Sequence, residues 1–113
     1  MALTRGEVYR VRYGGPGADS DPKRSRCFVV VGRQTLLDSK SDRVLCAPIN
    51  TREVGLVTEV AVAVSEGLKH PSAVNCDQLV RLDKSALTDY IGMLSANKLL
   101  ELKSALRAAL DID

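Results

Sequence analysis

Lys23, Arg24 and Arg26 close a Gly/Pro-rich loop, and the chain runs from them straight into the apolar stretch Cys27–Val31. A cation at such a junction can be held on a rigid scaffold and aimed at solvent or at a phosphate. A guanidinium there can grip two phosphate oxygens in a fork. Arg5, Arg10 and Arg12 fall in the same first quarter of the sequence, only partly offset by Glu7, Asp19 and Asp21. The formal net charge is only +2, so binding to a polyanion would have to come from this local clustering. The same cluster also fits a plain solvated edge.

Other chemistries have little to work with. One histidine and three scattered cysteines do not make a zinc set, and no metal site is expected. There is no P-loop, no G-x-G-x-x-G after a strand, and no G-x-S-x-G elbow. His70, between Lys69 and Pro71, reads as an exposed loop residue, which closes the two-histidine route to RNA cleavage.

Four segments follow one another in a telling order: R-G-E-V-Y-R-V (Arg5–Val11), K-R-S-R-C-F-V-V-V (Lys23–Val31), C-A-P-I-N-T (Cys46–Thr51) and C-D-Q-L-V-R-L-D-K (Cys76–Lys84). Taken together they resemble the MazF/PemK family of toxin endoribonucleases. The resemblance implies a mainly β fold with helices (α+β in some schemes), an SH3-like small barrel of the CcdB/PemK-like type with a C-terminal helix. It also implies a homodimer, single-stranded RNA as substrate, a cognate antitoxin as partner, and no cofactor. The family's reaction uses the RNA's own 2′-hydroxyl to attack phosphorus, leaving a 2′,3′-cyclic phosphate and a 5′-hydroxyl. The protein then supplies positioning, a base and charge stabilisation.

Carried onto this chain, the family's arginine before the second strand is Arg26, followed by Cys27 where a proline is common. Electrostatic stabilisation suits Arg26 better than proton donation, because a guanidinium stays charged. A carboxylate-paired structural arginine is the alternative. The family's P-x-T at the end of the third strand is here Pro48-Ile49-Asn50-Thr51, which leaves Asn50 and Thr51 both open for that half of the site. Asp77 matches a candidate base in the R-C-D-Q motif of PemK-like members, with Asn75 standing where they carry an arginine. Pairing with Arg81 is the competing reading of Asp77. The implied RNA-binding set is Lys23, Arg24, Arg10, Asn75 and Gln78. Two rivals remain: a CcdB-like gyrase inhibitor that acts by binding, and a catalytically inactive SH3-like module.

The elements must place these groups. At 113 residues the chain, 1–113, is expected to form one domain with one core. Without tryptophan and with a single phenylalanine, that core must be built of Val, Leu, Ile and Ala. Cys27, Cys46 and Cys76 lack C-x-x-C spacing and lie in apolar runs, so reduced thiols and a cytoplasmic location are expected. No signal peptide or membrane span is expected.

Alternation over Glu7–Tyr13 predicts a strand with Tyr9, Val11 and Tyr13 on one face and Val8, Arg10 and Arg12 on the other, the arginines outward. Phe28–Val31 and Val44–Ile49 read as central strands and Leu56–Val64 as another. One strand is predicted over Ser72–Leu82, with Gln78 on its apolar side and Asn75, Asp77 and Arg81 together on the other. Asp83 is expected to cap a helical turn, Tyr90–Leu94 to be extended, and Ser95 to cap a helix over Ala96–Leu110 with a Leu99, Leu102, Leu106, Leu110 stripe. The sum is a strongly bent sheet or small barrel with helices packed on it.

Overall fold

The computed structural model describes residues 2–12, 25–52 and 54–112. The loop that carries Lys23 and Arg24, and Tyr13 with it, lies outside the described residues. Among the described residues, seven strands form one antiparallel sheet: β1 (Glu7–Arg12), β2 (Ser25–Val30), β3 (Arg43–Asn50), β4 (Glu59–Val62), β5 (Ser72–Asn75), β6 (Val80–Asp83) and β7 (Asp89–Met93). A short α1 (Gln34–Leu37), a long α2 (Ala96–Leu110) and the 3-10 turns Val64–Glu66, Cys76–Gln78 and Lys84–Ala86 complete the described structure. The order is β4-β5-β3-β2-β1-β7, with β6 also pairing β3.

Strand β3 is the axis of this arrangement. Along one edge it pairs β2, from Phe28 opposite Pro48 to Val30 opposite Cys46. Its other edge is divided: Arg43–Cys46 pair with β6, and Ile49–Asn50 pair with β5. A strand whose edge is shared by two diverging partners bends the sheet, and the result is a curled half-barrel.

Each face of the sheet carries its own core, because side chains alternate along every strand. Val8, Val29, Ala47, Ile49, Val60, Val62 and Val74 pack on one side with Leu102 and Ala105 of α2. Tyr9, Val11, Phe28, Val30, Val44 and Cys46 pack on the other with Leu3, Leu37 and Leu87. Helix α2 starts where the sequence predicts, with Ser95 Oγ accepting from the Lys98 N–H at 3.2 Å. The leucine stripe holds through Leu106, but Leu110 is 56 % exposed, and Ala105 and Ala109 lie against the sheet instead.

Three expectations give way to local hydrogen bonding. The strand predicted over Ser72–Leu82 is broken by a 3-10 turn, Cys76–Gln78. Asn75 accepts the Asp77 N–H on its side-chain oxygen at 2.8 Å, a local bond that competes with extended backbone. Gln78 is consequently exposed rather than on an apolar face, and the Asp77 carboxylate meets Thr58, whose Oγ1 donates to it at 2.6 Å, instead of Arg81. The strand predicted over Leu56–Val64 shrinks to β4, since Glu59 Oε1 accepts the N–H groups of Val54, Gly55 and Leu56 and ties them into a loop. The turn after Asp83 is present, Lys84–Ala86, but the Asp83 side chain does not cap it and instead faces Arg43 at 3.3 Å.

At one crossing the backbone itself is the packing surface. Gly67, at φ 93°, lies against β7 so closely that a Cβ there would sit 1.9 Å from the Ile91 carbonyl oxygen, and a Cβ on Gly92 would sit 2.1 Å from that of Glu66. Neither neighbour can swing aside, since both are main chain. We expect Gly92→Ala to lower unfolding free energy by about 2–4 kcal/mol in urea titration, the range for overpacking combined with backbone strain. A change within about 0.5 kcal/mol would show that the crossing is loose.

Candidate functional site

The register brings three of the predicted residues, Arg26, Asn50 and Thr51, to one end of the sheet. Arg26 pairs across to Val11, and two residues beyond the Phe28–Pro48 pair it comes level with Asn50 at the end of β3. Its Nη2 donates a hydrogen bond to Asn50 Oδ1. Among the described residues, then, the partner of Arg26 is an amide, not a carboxylate. An amide orients a guanidinium without neutralising it. Arg26 is exposed and Asn50 half-buried.

Beside this rim lies a cleft of about 520 Å³, bordered by Arg10, Arg12, Arg26, Thr51, Lys69 and His70, with Cys27, Ile49 and Leu68 deeper in its lining. It is the open end of the α2-side core: Arg10 and Arg12 continue the face of Val8, and Cys27 and Thr51 continue those of Val29 and Ile49. Arg12 is exposed as predicted. Arg10 is only half so, because its guanidinium reaches Asp89 on β7 at 3.7 Å. Burial pushes the Cys27 thiol pKa up, and the neighbouring Arg10 charge pulls it partly back.

Not every predicted site residue meets here. Asn75, Asp77 and Gln78 sit on and before the turn that follows β5, outside the lining of the cleft. Lys23 and Arg24 lie outside the described residues. Conversely, sequence reasoning counted Arg12 among the clustered cations without placing it in the site, and it passed over Lys69 and Ser72. It also set His70 aside as an exposed loop residue; exposed it is, but at the cleft. These residues come from separate elements, and no local motif marks them; the odd pairing of Lys69 and His70 just before a strand was the available signal.

The described residues thus form a curled antiparallel half-barrel with a C-terminal helix, carrying an arginine at the start of β2 beside a cationic cleft. The chain belongs to the family described as PemK-like, MazF-like toxin of type II toxin-antitoxin system, which matches residues 4–110. It is 30 % identical over 115 residues to endoribonuclease MazF2 of Mycobacterium bovis, a match spanning 99 % of this chain and 100 % of that protein. With endoribonuclease MazF3 of Mycobacterium tuberculosis it shares 40 % identity over 70 residues, 62 % of this chain and 68 % of the other. Its fold superposes on Mycobacterium tuberculosis toxin MazF-mt6 with a TM-score of 0.79 at 28 % identity, covering 95 % of this chain and 98 % of that one. The fold expected from the resemblance is therefore the fold found.

The three thiols are free, and burial separates them: the pKa of Cys46 is pushed up to about 12 and that of Cys76 to about 11. Folding thus disfavours their thiolates. No stability is lost to this below the ordinary thiol value of 9.0; above it the unfolded chain ionises first, and stability should fall as pH climbs through the interval up to about 12. Iodoacetamide at pH 8 should alkylate Cys27, at the cleft, before Cys46 and Cys76, as read by peptide mass. Equal rates at all three would mean that the core opens faster than the reagent acts.

Proposed function

We propose that this chain is the toxin of a type II toxin–antitoxin pair and a metal-independent endoribonuclease cutting single-stranded RNA through attack of the 2′-hydroxyl. The observation that carries the reading is the Arg26–Asn50 pair: a charged guanidinium, oriented by a neutral amide and left exposed at the lip of a cationic cleft. Arg26 stabilises the charge that builds on the phosphoryl oxygens. Asn50 takes the position the resemblance left open between it and Thr51, while Thr51 lines the cleft from the next residue along. The base for the 2′-hydroxyl is assigned to Asp77 on the resemblance alone, since that carboxylate lies outside the lining of the cleft.

Lys23, Arg24 and Arg10 supply phosphate contacts, and Asn75 and Gln78 extend the RNA path along the turn after β5. The whole chain acts as one toxin domain in a cytoplasmic homodimer. Its antitoxin offers an acidic, partly disordered tail that orders on these cations and competes with RNA. Among the described residues, no helix is long and apolar enough to cross a membrane.

Purified protein with a long RNA in EDTA tests the reaction, and cleavage should persist, giving cyclic phosphate and 5′-hydroxyl ends. Loss of cutting on chelation, restored by one divalent ion, would overturn the mechanism. Arg26→Ala should lower the rate by about two to three powers of ten with the fold retained, and Arg26→Lys should recover only part of it, a point charge lacking the fork. Asp77→Asn should cost about a hundredfold or more if that carboxylate is the base. A wild-type rate would remove the assignment.

A further inference from the structure

We infer that the cleft beside the Arg26–Asn50 rim is a nucleobase subsite, in which His70 reads and Lys69 secures the nucleotide adjoining the cut phosphodiester. The inference rests on the nuclease reading and adds to it a location for sequence selectivity.

Strand alternation separates the two halves of the site. Arg26 and Asn50 share a sheet face with Phe28 and Pro48, whereas Arg10, Cys27, Ile49 and Thr51 share the opposite one. A phosphate held on the rim by Arg26 therefore leaves its attached nucleoside free to drop over the edge into the cleft. About 520 Å³ is ample room for one. Ile49 and Leu68, both buried core residues, give apolar surface against which a base face can lie.

The backbone of the turn between β4 and β5 is braced at both ends. Gly67 pins its start against the backbone of β7, and the Leu68 N–H donates to the Ala63 carbonyl at 3.2 Å. At its far end the buried Ser72 hydroxyl donates to the His70 carbonyl at 2.9 Å. Lys69 and His70 are both exposed at the cleft on this braced segment. An imidazole offers one donor and one acceptor to a base edge, which is what reading an unpaired base requires, and a lysine suits the adjoining phosphate. Arg10, already engaged by Asp89, acts as a wall rather than a reader.

The test maps cleavage of a randomised single-stranded RNA pool by wild type, His70→Ala, His70→Gln and Lys69→Ala. His70→Ala should flatten the preference at one position flanking the cut and lower kcat/KM on the preferred RNA by about tenfold to a hundredfold, the cost of an unmade base contact. Disfavoured RNA should be cut at a nearly unchanged rate, and His70→Gln should restore part of the preference. Lys69→Ala should raise KM and flatten the salt dependence without altering the preference. An unchanged profile and rate in His70→Ala would overturn the inference and leave the nuclease reading standing. A second arm photo-cross-links an oligonucleotide carrying 4-thiouridine beside a 2′-deoxy cut site. Cross-links in the peptide containing Leu68–Ser72 support the subsite even if the wild-type protein cuts no RNA, and cross-links confined to other peptides overturn it.

Discussion

One strand with too many partners organises this molecule. β3 gives one edge to β2 and divides the other between β6 and β5, and the division is possible only because Cys76–Gln78 turns out of line between them. The turn is fixed at small scale: the Asn75 side chain accepts from Asp77 N–H, the Cys76 N–H donates to the Thr58 carbonyl at 3.0 Å, and the Cys76 side chain is buried. From that break follow the curl of the sheet and the position of the end of β3, where Asn50 pairs with Ala73 and Thr51 emerges.

The cleft is a by-product of the same constraint. Helix α2 covers the concave side only as far as the apolar residues of the strands extend. Where β1 and β2 turn polar, at Arg10, Arg12 and Ser25, the cover stops and the space opens. Core and site are one continuous layer, with Ile49 and Leu68 belonging to both. Such continuity gives the polar side chains at the rim a rigid support, since a residue anchored beside a close-packed core cannot drift far. It also ties stability to function: the Gly67–Gly92 crossing that locks the barrel edge is the same feature that positions the turn bearing Lys69 and His70.

Charge is used sparingly here. With a net charge of only +2, the protein cannot rely on a general field to collect RNA. It concentrates cations around one opening, where one of them, Arg10, also faces the Asp89 carboxylate at 3.7 Å. Arg26 is handled in the opposite way. Its Asn50 partner is an uncharged amide, which supplies direction and no compensating charge.

Much was legible in the chain itself. Alternating and leucine-striped segments gave β1 and α2 nearly to the residue, Ser95 its cap, and the order of four short segments the family. These features depend on neighbours in sequence, where side-chain period and local hydrogen bonding act directly. Even some failures were local in origin: Asn75 and Glu59 each divert backbone from an extended path that apolar alternation alone would predict. What only the tertiary structure decided is which residues meet. Asn50 rather than Thr51 became the partner of Arg26 because the antiparallel register of β2 and β3, fixed by packing on both faces, sets Asn50 level with it. His70, unremarkable in a loop, came to the cleft because a glycine crossing and a buried serine hydroxyl hold its turn there. Register and approach are properties of the packed chain, and no period within the sequence encodes them.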